Sequence, residues 1–336
     1  MRAAIVRAFG SVEGVQVGAF PRPLPAPGEV LVTVHAAPVN YVDLVVIGGT
    51  YQFLPPLPFV PGKGPAGIVA ACGGGVHDLQ IGERVLAMAE QGGYAEQVCV
   101  KADQCYHLPD AMSFTEAASM SLAYDTAWFA LRERARIRAG ETVLVLGASG
   151  AVGLAAIQLA KAMGARVLAG VSRPDRAAIV TEAGADAVVD LSVSDLRDSL
   201  RDQVKAANGG ALADIVIDPV GGDAFDAALR ALAWCGRLVV IGFAAGRIPT
   251  VKANYLLVKN IEVSGLQISD YRKRRPERVA ECFRELFDFY LSGQIRPPAT
   301  IDLPLERAAE GLAAVRDRTA GGRRVILLPN TDWSAT

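Results

Sequence analysis

The chain has 336 residues, a formal net charge of −1, 51% hydrophobic and 21% charged residues, a globular makeup too long for one core and so suited to two domains. This balance gives no electrostatic reason to expect nucleic acid as the main partner. No apolar run approaches a membrane span and Met1-Arg2-Ala3-Ala4-Ile5-Val6-Arg7 lacks the apolar core of a signal peptide, so a cytoplasmic location and no membrane partner are expected.

The first stretch, to about residue 122, reads as short strands separated by glycine. Pro21 to Gly28 is a proline-rich connection, and Val30 to His35 alternates as a strand. Further strands are expected over Gly67 to Ala71, Arg84 to Met88 and Glu96 to Val100, with turns at Gly73-Gly74-Gly75, Gly82 and Gly92-Gly93. Such spacing predicts a compact, β-barrel-like domain. The intervening loops carry Asn40, Asp43, Tyr51 and Lys63 among apolar neighbours, the usual makeup of a small-molecule site. Judged alone, Asn40 and Asp43 serve equally well as turn caps, and Lys63 reads as a solvated surface lysine ahead of an electrostatic helper. Cys72, Cys99, Cys105, Cys235 and Cys282 include no C-x-x-C pair, and His35, His77 and His107 show no ligand spacing, so no metal site is expected.

A different pattern begins at about residue 123. Thr142 to Leu146 is a short apolar run suited to a buried parallel strand. Glycines then force a turn, and from Ala151 the residues Val152, Ala156, Leu159, Ala160 and Met163 share one helical face. Ala148-x-Gly150-x-x-Gly153 is a dinucleotide fingerprint whose first glycine has become alanine. Ser149, Gly150, Ala151 and Val152 would bring backbone N–H groups and the positive end of a helix to a diphosphate.

The alternation continues as strand Arg166 to Val171, helix Asp175 to Glu182, strand Ala187 to Asp190, helix Ser194 to Ala206 and strand Ala213 to Asp218. Helix Asp223 to Ala233, strand Arg237 to Gly242 and a sixth strand over Ile261 to Leu266 complete a doubly wound parallel sheet. After its second strand stands Ser172-Arg173-Pro174-Asp175-Arg176, where an NAD site would want an acid. A hydroxyl and two guanidinium groups suit the 2′-phosphate of NADP, with Asp175 read as a carboxylate favouring a helix dipole. Asp218-Pro219-Val220-Gly221-Gly222 and Val240-Ile241-Gly242-Phe243-Ala244 fall at strand ends that would face the cofactor.

With both halves read, the chain resembles the quinone oxidoreductase (zeta-crystallin-like) branch of the medium-chain dehydrogenase/reductase superfamily. The likeness rests on Val39-Asn40-x-x-Asp43, Gly49-x-Tyr51, Pro58-Phe59-Val60-Pro61-Gly62, Gly92-Gly93-Tyr94-Ala95-Glu96, Tyr124-x-Thr126-Ala127, Gly140 to Val145, the Ala148 to Gly153 turn and Gly164-Ala165-x-Val167. It implies an α/β protein with a GroES-like domain over 1–122 and 264–336 and a Rossmann domain over 123–263. Arg323 to Pro329 would then be a last strand paired back into the first domain.

The resemblance also implies NADP(H) as cofactor, held by Asn40, Thr126, Ser149, Gly150, Ala151, Val152, Ser172, Arg173, Arg176, Gly242, Phe243 and Ala244. Asn40, Tyr51 and Asp43 are its catalytic candidates, with Tyr51 or a water as proton donor, and a homodimer is its usual assembly. Zinc-dependent relatives place cysteine where Asn40 stands and Gly-His-Glu near Gly62-Lys63-Gly64, so metal-free hydride transfer to a quinone or enone is expected. An enoyl or acyl-CoA reductase is the alternative acceptor reading, with Arg272-Lys273-Arg274-Arg275 either holding coenzyme A phosphates or forming a solvated face. A non-catalytic, RNA-associated nucleotide-binding protein is the alternative of another class. Two departures stand out: Val189-Asp190-Leu191 lacks the family's adenosine-side tyrosine, and Asp125 replaces a glycine beside Thr126.

Overall fold

The computed structural model describes residues 1–331. The chain divides into two compact units. One holds Met1–Leu122, Arg272–Phe283 and the stretch from Pro297 onward; the other holds Ala123–Tyr271 and Arg284–Arg296. Of the returning segment expected over 264–336, residues 332–336 lie outside the described residues.

In the first unit β1 (Arg2–Ile5) pairs antiparallel with β2 (Gln16–Ala19). The organising strand is β3 (Glu29–Pro38), paired with β4 (Ala66–Cys72) and β6 (Gln97–Lys101); β5 (Arg84–Ala87) joins β4 to β7 (Cys105–His107). The strands expected from alternation are present with ends shifted by a few residues. By contrast β1, β2 and β7 are too short, or too rich in alanine and glycine, to carry a strand signal of their own. Gly67 is demanded by packing, because a Cβ there would lie 2.0 Å from the carbonyl oxygen of Thr33 across the β3–β4 pair.

The expected loop after Pro38 is instead the helix α1 (Tyr41–Ile47). Its aromatic and β-branched residues are poor helix formers, but Asp43 Oδ2 accepts the Asn40 N–H at 2.9 Å, and Val46 and Ile47 are buried. A good cap plus a buried face outweighs weak propensity over two turns.

Helix α2 (Phe114–Phe129) leads into the second unit. There β8 (Thr142–Val145), β9 (Arg166–Val171), β10 (Ala187–Asp190), β11 (Ala213–Asp218), β12 (Leu232–Val240) and β13 (Glu262–Gly265) form, among the described residues, a six-stranded parallel sheet in the order β10-β9-β8-β11-β12-β13. Chain order reverses at β8, whose four residues are all buried, as helices on both faces require. The crossovers carry α3 (Ala151–Ala162), α4 (Ala177–Glu182), α5 (Leu196–Ala207) and α6 (Gly222–Ala231). Leu196, Leu200 and Val204 of α5 bury one stripe at four-residue spacing beside Leu144, Leu168 and Phe225 in this unit's core.

The chain returns through β14 (Thr300–Pro304), parallel to β15 (Arg324–Leu328). The last strand pairs antiparallel with β3 through Ile326↔Pro38 and Leu327↔Ala37, so the C-terminal strand does rejoin the first unit's sheet. That unit's core gathers Val32, Val34, Val69 and Val85 with Leu303, Val325 and Leu327. No described helix is long and apolar enough to cross a membrane.

Candidate functional site

In the second unit the carboxyl ends of β8, β11 and β12 converge on one rim. After β8 the chain turns at Gly147, whose φ of +57° is a left-handed conformation. The tight residue is thus Gly147 rather than the next one, which is why Ala148 is tolerated where the fingerprint usually has glycine. Gly150 donates its N–H to Gly147 O at 3.0 Å and accepts the Leu154 N–H at 2.9 Å, opening α3. A Cβ on Gly153 would lie 2.6 Å from the carbonyl oxygens of both Gly147 and Ala148, so only glycine lets the helix start this close to the strand. Ala151 and Val152 form the first turn of α3, which has no side-chain cap, and Ser149 and Gly150 border it.

The two other strand ends meet beside this turn. Asp218 Oδ1 accepts the N–H groups of Val220 and Gly221 at 2.8 and 2.9 Å. Burial pushes the Asp218 carboxyl up, and those two N–H bonds oppose the shift. Ala244 and Ala245 donate to the carbonyls of Pro219 and Val220 at 3.2 and 2.9 Å, tying the loop after β12 to the loop after β11. A Cβ on Gly147 would sit 2.8 Å from Val220 Cγ2, and one on Gly221 3.0 Å from Phe243 Cδ1. Gly147, Gly221, Gly242, Phe243 and Ala244 are therefore one neighbourhood. Thr126 lies on α2 instead, buried, with Oγ1 donating to Asp125 Oδ1 at 3.3 Å.

Just past β9, Ser172 and Arg173 are exposed and Arg176 is half-buried. Asp175 lies in the first turn of the short helix Pro174–Arg176, where the sequence places it, but its carboxylate is taken up by a neighbouring arginine. It takes Arg173 in a two-bonded clasp, Nε to Oδ1 at 3.1 Å and Nη2 to Oδ2 at 2.8 Å, and has Arg176 Nε at 3.5 Å. The hydrogen bonds from Arg173 hold the Asp175 carboxyl below the usual range.

The first unit holds a buried polar network at the junction of β3 and α1. Asp43 is 2% exposed and accepts the Tyr94 hydroxyl at 2.7 Å besides the Asn40 N–H. Asn40 donates from Nδ2 to the carbonyls of Pro38 and Lys63, each at 3.3 Å, and accepts from Arg324 Nη2 at 2.8 Å. Burial pushes the Asp43 carboxyl up, opposed by the Tyr94 hydroxyl, the Asn40 N–H and the charges of Lys63 and Arg324; burial also carries the Tyr94 phenol well above its ordinary range. The Asp43 carboxylate, expected as a catalytic candidate, is enclosed and bonded by its own frame. The amide of Asn40 is equally engaged within the frame.

Lys63 is 6% exposed, so it is not the solvated lysine the sequence suggests. Its Nζ bonds Glu90 Oε2 at 2.5 Å, while Glu90 Oε1 takes Arg272 Nη1 at 2.9 Å. Arg272, first of the basic run, is 2% exposed, and only Lys273, Arg274 and Arg275 form an exposed face. Lys63 Nζ also lies 5.7 Å from the ring centroid of half-buried Tyr51, whose ring meets Phe53 edge-on at 6.4 Å. Among the described residues no three His, Cys, Asp or Glu gather as a metal ligand set. The pairings of Arg324, Tyr94, Glu90 and Arg272 gave no sequence signal.

Comparison with known proteins agrees with both halves of this geometry. Residues 26–110 match the alcohol dehydrogenase GroES-like domain and residues 151–287 the zinc-binding dehydrogenase domain. A quinone oxidoreductase-like protein 2 homolog from Nematostella vectensis is 36% identical over 301 residues, 89% of this chain and 81% of that protein. The Escherichia coli quinone oxidoreductase solved with NADPH superposes with a TM-score of 0.89 at 29% identity, covering 98% of this chain and 100% of that one. A mycobacterial protein also solved with NADPH gives 0.90 at 31% identity, with the same coverage of both chains.

Proposed function

The chain belongs to the quinone oxidoreductase branch of the medium-chain dehydrogenase/reductase superfamily, and from that membership we propose that it is an NADPH-dependent, metal-free reductase of quinones or similarly electrophilic carbonyl compounds. The observation that carries the cofactor choice is the pair Arg173 and Arg176 gathered on one carboxylate past β9, a cluster built for an anion with several oxygens. Bound NADPH supplies the hydride.

In this reading the chain's own residues take the following roles. Arg173, Arg176 and Ser172 hold the 2′-phosphate, and the first turn of α3 with Ser149 and Gly150 takes the diphosphate. Backbone groups of the 218–222 and 242–244 loops border the carboxamide, and Thr126 adds a hydroxyl from α2. Tyr51, half-buried beside the Lys63 ammonium, delivers a proton to the reduced substrate oxygen. Asn40 and Asp43 are positioning residues: they fix the start of α1 through Arg324 and Tyr94. This donor set does not fit zinc, because the amide is bonded to Arg324 and two carbonyls while the carboxylate is taken by Tyr94 and a backbone N–H. A homodimer belongs to the same reading, and a one-chain mass in sedimentation would remove it.

The experiment is NADPH oxidation with three acceptors in parallel: p-benzoquinone, an alkenal and crotonyl-CoA. The quinone is expected to turn over fastest. Crotonyl-CoA turning over fastest would replace the quinone reading with an acyl-CoA reductase. Silence on all three, with salt-dependent RNA binding, would replace both with a non-catalytic nucleotide-binding protein.

A further inference from the structure

We propose that Asp175 is a built-in competitor for the 2′-phosphate of the cofactor and thereby sets how strongly the protein prefers NADPH to NADH. The inference rests on the NADPH reading above and concerns a residue that reading leaves without a role. The carboxylate already does to Arg173 what a phosphate would do, engaging Nε and Nη2 through two separate oxygens, and it draws Arg176 to 3.5 Å. Because Asp175 is tethered two residues from Arg173, it meets the guanidinium at a high effective concentration. An arriving 2′-phosphate must therefore displace a partner that never diffuses away, and must do so beside a like charge.

The geometry allows that exchange. The side chains of Arg173 and Asp175 are 52% and 56% exposed, so the clasp can open without breaking a packed core. Arg176 is only 15% exposed and remains as the fixed part of the site when Arg173 swings. NADH offers ribose hydroxyls in place of the phosphate and has no reason to open the clasp. The opposite role, Asp175 as acceptor for the ribose hydroxyls of NADH, would require it to give up both bonds from Arg173 for two neutral donors.

The test is calorimetric titration of the wild-type protein and Asp175→Asn with NADPH and with NADH. Asparagine keeps the size and removes the charge at an exposed site, so folding is retained. An exposed ion pair shifts a binding constant by about two- to fivefold and removal of the like charge adds to this, so NADPH is expected to tighten by roughly three- to tenfold with NADH unchanged. On an Arg173→Ala background, where the clasp is absent, the same substitution is expected to give a smaller gain. NADPH affinity that stays the same or falls in D175N overturns the proposal. Weakened NADH binding in D175N also overturns it, by making Asp175 a ribose acceptor. A wild-type protein that binds NADPH well over NADH, with that ratio unmoved in D175N, removes only this inference; failure of both proteins to bind NADPH removes the cofactor assignment as well.

Discussion

Gly153→Ala is expected to lower affinity for NADPH by roughly ten- to a hundredfold and to destabilise the protein by about 1–3 kcal/mol. The added methyl would sit 2.6 Å from two backbone carbonyl oxygens, those of Gly147 and Ala148, and neither can rotate away as a side chain could. Relief must come from moving α3 off the end of β8, which withdraws the N–H groups of Ala151 and Val152 from where the proposed function seats the diphosphate. For stability the neighbouring Gly150 gives the control, since a Cβ there would meet only Gly147 O, at 3.3 Å. Isothermal titration of G153A with NADPH, and urea unfolding of both variants, check this. Equal affinities for wild type and G153A would mean that the turn does not hold the diphosphate.

Arg324→Met is expected to cost about 1–3 kcal/mol in urea unfolding, the usual penalty for leaving a buried hydrogen-bonding group without its charged donor. Arg324 bonds the Asn40 side chain directly and favours the charged form of Asp43. Its loss leaves the Asn40 oxygen without that donor and removes one of the two cations that favour the Asp43 carboxylate. Adding Asp43→Asn to the R324M background is expected to recover part of the loss by removing the carboxylate that Arg324 favours. The pH dependence has a definite sign. Burial raises the folded-state pKa of Asp43, and loss of Arg324 raises it further. A carboxyl whose pKa is raised by folding costs stability as pH climbs from the unfolded value of about 4. The deficit of R324M is therefore expected to be largest near neutral pH and to shrink on acidification towards that value. A deficit below about 1 kcal/mol, independent of pH, would show that the network does not depend on this arginine.

What the sequence reveals of this protein is what lies close together along it. Strand β8, its turn and α3 occupy consecutive residues, and each leaves its own mark: a buried apolar run, glycines, then a helical stripe. Ser172 to Arg176 reads just as directly, except that the direction of the Asp175 side chain depends on which neighbour it meets. The first unit's network has no such locality. Asn40 and Arg324 are 284 residues apart, Tyr94 and Asp43 51 apart, and Arg272 and Glu90 182 apart. Lys63 reads as a surface residue because lysine usually is one, and only the fold brings Glu90 to make its burial tolerable. Helix α1 is hidden for a related reason: β-branched residues argue against a helix until its cap and buried face are seen.

In the proposed function NADPH lies on the parallel-sheet unit with its diphosphate at the small-residue turn and its 2′-phosphate on the two arginines past β9. The decisive experiment is a crystal structure of the protein grown with NADPH. The diphosphate is expected against the N–H groups of Ser149 to Val152, and Arg173 is expected to turn from Asp175 to the 2′-phosphate. A nucleotide bound elsewhere, or an intact Arg173–Asp175 clasp beside bound NADPH, would contradict that placement.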